Sequence, residues 1–254
     1  INQYTVKDFY EFAREVPIEK LYFLKEAIEF NNKLSETGLK ENLGKGFGNA
    51  YLRIKEGSNI YMKAKAYTAA ASDARMAGEN LSAMSCASSG NVGITASIPL
   101  YIVAQEQGSS EELLLRALSL SFLLTIFIKN QIGRLSAMCA CAIAASIGVG
   151  AGVVVLSEGT FEEVEATIKN IVGSIGGILC DGAKLGCALK LSNAIGTAIE
   201  SAYLAMEGAG IPAGDGLVCD TADETLRMLG RIAKNGMAET DKIVCKEIIQ
   251  RETQ

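Results

Sequence analysis

Apolar residues recur at three- and four-residue spacing along most of this chain, and polar capping groups mark where the periodic stretches begin. Ser109-Ser110-Glu111-Glu112, Thr160-Phe161-Glu162-Glu163 and Thr221-Ala222-Asp223-Glu224 each place a hydroxyl ahead of acidic residues at the head of such a stretch. A hydroxyl and a carboxylate so spaced satisfy the amides that open a helix. The pattern predicts helices near 6–15, 18–35, 63–77, 92–106, 111–129, 133–156, 161–179, 187–207, 221–234 and 239–250. The fold class is therefore mainly α, a compact multi-helix domain spanning 1–254.

Two regions break the helical period. Tyr51-Leu52-Arg53-Ile54-Lys55 alternates apolar and polar, Glu56-Gly57-Ser58-Asn59 can turn, and Ile60-Tyr61-Met62 follows, which leaves room for a short β-hairpin near 50–62. Just before it, Gly44-Lys45-Gly46-Phe47-Gly48 is glycine-rich but matches neither a phosphate-binding P-loop nor a dinucleotide fingerprint, and is read as a plain loop. The glycine-rich region 36–49 is the place where a domain break is most expected, and 208–220, with Gly208, Gly210, Pro212, Gly214 and Gly216, is read as a loop between helices.

From Cys139 to Leu156 nearly every residue is small and apolar, with Gly148, Gly150 and Gly152 two apart, and Leu113–Ile128 is a second apolar run interrupted by Arg116. A membrane span is one reading. The favoured one is a small-residue helix buried at the centre of a soluble helical protein, because the length is borderline and neither an aromatic belt nor a basic flank is present.

Composition narrows the chemistry. Across 254 residues, 49% are hydrophobic and 21% charged, with only 3 prolines, which fits an ordered globular chain. A count of 24 basic against 29 acidic residues, net −5 and without a basic run, argues against a nucleic-acid surface. The chain contains no histidine, so Ser-His-Asp and Cys-His nucleophiles, histidine bases and histidine-bound zinc are all excluded within it. Seven cysteines, an odd number, without a signal-peptide pattern point to a reducing, cytoplasmic setting. The start at Ile1 is read as processing, trimming or a fragment.

The chemistry-bearing residues cluster around cysteine. Cys180-Asp181-Gly182-Ala183-Lys184-Leu185-Gly186-Cys187 holds two thiols in a glycine-containing loop, Cys187 standing at the expected start of a helix, where a thiolate is favoured. Cys139 and Cys141 lie some forty positions upstream, while Cys219 and Cys245 read as buried or scattered thiols. Three convergent thiolates suit zinc or one face of an iron–sulfur cluster. Asp181 and Lys184 can pair across the loop, and Arg75, beside Asp73, can grip a carboxylate bidentately. Ser88-Ser89-Gly90-Asn91 offers hydroxyl, amide and backbone donors ahead of a helix expected from Val92, a setting suited to an anion or to simple helix capping.

Gly177-Ile178-Leu179-Cys180-Asp181-Gly182-Ala183-Lys184-Leu185-Gly186-Cys187-Ala188-Leu189-Lys190 resembles the signature of the L-cysteine desulfidase family and its uncharacterised relatives, and more distantly that of the iron–sulfur L-serine dehydratases. Gly133-Arg134-Leu135-Ser136-Ala137-Met138-Cys139-Ala140-Cys141-Ala142 resembles the upstream cysteine element. Ser72-Asp73-Ala74-Arg75-Met76 with Met84-Ser85-Cys86-Ala87-Ser88-Ser89-Gly90-Asn91-Val92-Gly93 resembles the Ser/Gly/Asn element, departing from it at Cys86 and Val92, where polar residues are usual.

The resemblance implies a [4Fe-4S] cluster on Cys180, Cys187 and Cys139, with Cys141 the alternative to Cys139, and one iron left open. It implies substrate binding by Ser88, Ser89, Gly90 and Asn91. The implied reaction is β-elimination from L-cysteine or L-serine, giving pyruvate, ammonia and, from cysteine, sulfide. It further implies that the chain is the C-terminal portion of a longer architecture whose N-terminal region carries a cysteine proposed as the base. The expected partners are a small amino-acid substrate and a second copy of the chain, without nucleic acid or membrane. A non-catalytic metal- or amino-acid-binding module of the same family is the alternative.

Overall fold

The computed structural model describes residues 1–54, 59–133 and 135–252. Among them the chain forms eleven α-helices: α1 (Val6–Glu15), α2 (Leu24–Glu41), α3 (Phe47–Arg53), α4 (Ile60–Met76), α5 (Gly90–Gln107), α6 (Glu111–Ile132), α7 (Ala144–Leu156), α8 (Phe161–Ile175), α9 (Cys187–Met206), α10 (Ala222–Arg231) and α11 (Ala238–Glu252). No strand is present among the described residues; two isolated β-bridges, Cys86 with Ser89 and Met138 with Leu179, are the only extended pairings there. The mainly α expectation holds.

The caps act as the sequence predicts. Thr160 and Glu163 form a reciprocal capping box at α8, Thr221 and Glu224 form another at α10, and the Ser110 hydroxyl accepts from the Leu113 amide at α6. Thr5 and Asp8 add a further box at α1.

Helix α7 is the centre. All 13 of its residues are buried, and it packs on α5, α6, α8 and α9. Its glycines explain how so many neighbours fit. Residues two apart on a helix point some 200° apart, so alternate positions send the bare backbone to opposite sides. A β-carbon at Gly148 would lie 2.5 Å from the Ser121 carbonyl of α6, one at Gly150 would lie 2.6 Å from Ile171 of α8, and one at Gly152 would lie 2.7 Å from Leu100 of α5. Buried hydroxyls beside it are satisfied locally: Ser146 donates to the Ala142 carbonyl and Thr125 to that of Ser121. A helix of this length rises about 20 Å, well short of the ~30 Å hydrocarbon layer. Among the described residues no helix is long and apolar enough to cross a membrane.

Arg116, the charge inside the second apolar run, is placed by the end of α1: its guanidinium donates to the carbonyls of Ala13 and Val16 and pairs with Glu112.

Three expectations are corrected. The hairpin near 50–62 is replaced by helix at both ends: α3 runs through Tyr51, Leu52 and Arg53, and α4 begins at Ile60, while Lys55, Glu56, Gly57 and Ser58 lie outside the described residues. The region 36–49 is no break. Helix α2 continues to Glu41, α3 starts at Phe47, and both lie against α4, where a β-carbon on Gly38 or Gly48 would strike Ala70. The stretch expected to be helical from 133 becomes helix only at Ala144, and α8 stops at Ile175 rather than 179, because residues on each side leave their helices to pair with one another.

The packing of α7 generates a direct test. Gly148→Val forces two methyls against α6 and is expected to lower unfolding stability by about 1–3 kcal/mol or to abolish folding, whereas Gly177→Ala, with nothing within 4 Å of its added carbon, is expected to change stability far less; urea denaturation followed by circular dichroism reads both.

Candidate functional site

The two cysteine segments are joined by backbone. The Cys139 amide donates to the Ile178 carbonyl at 2.8 Å, and the Cys180 amide donates to the Ala137 carbonyl at 2.7 Å, so Ala137–Cys139 and Ile178–Cys180 run antiparallel across the Met138–Leu179 bridge. This brings the thiols of Cys139 and Cys180 into hydrogen-bond contact, and Cys141 shares a second such bond with Cys139. The bond to Cys141, with burial adding to it, pushes the Cys139 thiol up to about 11. The bond to Cys139 and then burial push the Cys180 thiol well above the ordinary thiol range.

Cys187 opens α9 where the sequence placed it. Its sulfur turns back on its own loop, accepting from the Lys184 amide at 3.4 Å and donating to the Gly182 carbonyl at 3.6 Å. The structure therefore brings Cys139, Cys141 and Cys180 together and places Cys187 on the adjoining turn. Among the described residues no group of three or more His, Cys, Asp or Glu side chains stands ready to hold a metal ion. The donor chemistry nonetheless fits a thiolate-bound cluster: Cys139, Cys141 and Cys180 are set on two loops fixed to each other, and Cys187 is the first residue of the helix that follows the second.

Asp181 ties the second loop down. It pairs with Lys184 and, at 2.5 Å, with Lys190, which also donates to the Leu179 carbonyl at 2.8 Å. Burial raises its carboxyl, but the bonds from Lys184 and Lys190 outweigh that and hold it at about 2. Burial lowers Lys190, but the bond it donates to Asp181 outweighs that and raises it. The Asp181–Lys184 pair was legible from spacing; Lys190 was missed, although a lysine one turn into the helix after Cys187 points back over its N-terminus.

The Ser/Gly/Asn element stands against the cysteine loop. Cys86 and Ala87 share an apolar cluster with Val92, Ala96, Ala140 and Cys141. The segment leading to it is held by buried Asn31, which accepts from the Met84 amide and donates to the Met84 carbonyl and the Ser97 hydroxyl. Cys86 and Ser89 then exchange two backbone hydrogen bonds around Ala87 and Ser88, whose φ values of 46° and 69° are both left-handed. That is the pattern of the primed hairpin turns, usually filled by glycine or asparagine, and L-residues pay about 1–2 kcal/mol each to adopt it. Burial pushes the Cys86 thiol up to about 12.

The Ser89 hydroxyl caps α5, accepting from the Val92 amide at 3.4 Å, and Ser88 is exposed on the turn. Gly90 lies under Arg75, where a β-carbon would meet the guanidinium at 2.4 Å. Asn91 is buried, its oxygen accepting from Arg75 at 3.2 Å and its amide donating to Met76. Asp73 faces elsewhere. Its carboxylate accepts from the backbone amides of Lys45, Phe47 and Gly48, capping α3 across space, and burial raises its pKa despite those bonds. The glycine-rich loop cradles a carboxylate of its own chain.

The chain matches the serine dehydratase alpha chain family over residues 2–246. It is 38% identical over 251 residues to a UPF0597 protein of Clostridium tetani, covering 99% of this chain and 59% of that protein. A UPF0597 protein of Phocaeicola vulgatus is 40% identical over 245 residues, covering 94% of this chain and 57% of the other. The chain thus spans less than two thirds of the length of these curated relatives. No solved structure matches it.

Two tests follow from the geometry. In the metal-free chain, iodoacetamide at pH 7.5 is expected to modify exposed Cys245 first, with Cys86, Cys139 and Cys180 slowest, because their thiols stay protonated; peptide mass spectrometry over time gives the order. Asp181 has a folded pKa of about 2, below its ordinary 3.8, so its pairing stabilises the fold above about pH 4 and is lost as pH falls through 2. Asp181→Asn is expected to flatten that part of the stability curve, read by denaturation between pH 5 and pH 2.

Proposed function

Since the chain belongs to the serine dehydratase alpha-chain family, we propose that it is the cluster-bearing portion of an iron–sulfur lyase that carries out β-elimination on a small L-amino acid, L-serine or L-cysteine. The observation that carries this reading is the union of three separated sequence elements: the bridge that sets Cys139 beside Cys180, and the apolar cluster that sets Cys141 beside the Cys86–Ser89 turn.

Cys180, Cys187 and Cys139, with Cys141 the alternative to Cys139, are the residues that would hold a [4Fe-4S] cluster. When bound through three thiolates, such a cluster supplies an open iron, a Lewis acid for the departing β-hydroxyl or β-thiol. The remaining work falls to the chain. Ser88 and Ser89 offer hydroxyls, and the start of α5 its positive end, to the substrate's carboxylate. Asn91 holds Arg75 in place at 3.2 Å. The Asp181–Lys184–Lys190 staple keeps the second cysteine loop closed. Loss of the α-proton and of the β-substituent gives aminoacrylate, which hydrolyses to pyruvate and ammonia. The supply of the base belongs to the longer architecture of which this chain is proposed to be the C-terminal portion.

Anaerobic purification with iron and sulfide analysis tests the reading. The expected result is near-equal iron and sulfide, about four of each per chain, with a visible spectrum perturbed by L-serine or L-cysteine. Cys180→Ala, Cys187→Ala and one of Cys139→Ala or Cys141→Ala are expected to lose it. Retention of the cluster in all four single variants overturns the ligand assignment, and absence of iron after reconstitution favours a binding module without turnover.

A further inference from the structure

Lys129 is absorbed by neither the cysteine loops nor the fold. It stands near the end of α6, 6% exposed, and its ammonium donates to the Ala87 carbonyl at 2.5 Å. No carboxylate lies within ion-pair distance of it among the described residues. An ammonium has three protons to donate, and burying one on a single neutral acceptor is costly. A leucine or methionine here would fill the same space more cheaply.

The other cation at this turn is in the same position. Arg75 is half-buried, its recorded hydrogen-bond partner is the neutral Asn91 oxygen, and it too lacks a carboxylate partner among the described residues. The carboxylate nearest in sequence, Asp73, is spent on the amides of Lys45, Phe47 and Gly48. Residues 86–91 are therefore met by Lys129 at Ala87 and by Arg75 at Gly90 and Asn91, and they lead into the N-terminal end of the 18-residue helix α5. Three sources of positive potential meet there, uncompensated by a paired side-chain anion.

We propose that Lys129 is a carboxylate-binding residue of this site: together with Arg75 it makes the Cys86–Asn91 turn a seat for the α-carboxylate of a small amino or keto acid. This rests on the elimination reading for the identity of the ligand, and adds to it the charge that the serine and asparagine side chains lack. The bond to the Ala87 carbonyl gives Lys129 a second role. It braces the left-handed turn whose next residues, Ser88 and Ser89, face the ligand.

Calorimetric titration of the chain with L-serine, pyruvate and the uncharged-terminus analogue L-serinamide tests this, in the wild type and in Lys129→Gln, Lys129→Met and Lys129→Arg. Glutamine can still donate to the Ala87 carbonyl but carries no charge. Lys129→Gln is expected to weaken L-serine and pyruvate by about tenfold or more while L-serinamide stays within about twofold, and Lys129→Arg to retain most carboxylate affinity. Unchanged carboxylate affinity in Lys129→Gln and Lys129→Met, equal losses for serine and serinamide, or a wild type that binds neither carboxylate each overturn the assignment. Failure of the elimination reading looks different: carboxylates bind and depend on Lys129, yet L-serine is held no better than L-alanine and the reconstituted chain holds no iron.

Discussion

Close approach of backbones around α7 is the constraint on which everything else depends. A helix stripped to glycine, alanine and valine gives up side-chain volume, and the neighbours recover it by coming nearer. Glycines spaced two apart let α7 offer bare backbone to α6 and α5 on one side, through Gly148 and Gly152, and to α8 on the other, through Gly150. The contact between α6 and α7 sets the ends of those helices, and it is between the end of α6 and the start of α7 that Cys139 and Cys141 are displayed. The contact of α7 with α8 and α9 sets the opposite loop, carrying Cys180 and Cys187. The rigid centre contains none of the reactive side chains and positions all four of these.

Around that frame the polar groups divide into those consumed by the fold and those left over. Asp73 looked like a site residue and is a remote cap for α3. Arg116 looked like an interruption and closes the end of α1. Asp181 and its two lysines hold a loop. What remains unspent, the cysteine thiols, Ser88, Arg75 and Lys129, lies at the meeting of the cysteine loops with the start of α5. Polar groups that the fold leaves without a charged partner mark the candidate site more sharply than any single motif does.

Much of this could be read in advance. Thr160 with Glu163 and Thr221 with Glu224 announced their helices because a capping box is entirely local. The small apolar run announced a buried helix for the same reason. Misreadings arose where a distant partner decided the outcome. Tyr51 to Arg53 alternate like a strand, yet they are helical because Asp73, on another helix, caps α3, and because the Tyr51 hydroxyl meets Ser192 and Asn193 of α9. Residues 135–143 and 176–180 have helical composition, yet they lie outside the helices and bond with each other across some forty intervening positions. Lys129 closes the stretch expected to be helical over 111–129; its burial depends on the turn that precedes α5, which no local pattern announces.

The bridge between Ala137–Cys139 and Ile178–Cys180 also bears on the order of events in making the protein. Closing a flexible loop of about forty residues costs about 3 kcal/mol of chain entropy beyond a constant, and in small metal-nucleated domains the ion meets that cost, so the unloaded chain stays unfolded. Here α7 and α8 span the loop and bury their apolar faces in the common core, and the two backbone hydrogen bonds close it without any ligand. The cluster proposed above would meet Cys139, Cys141 and Cys180 already together on a folded scaffold, with protons to displace from them but no polypeptide to organise.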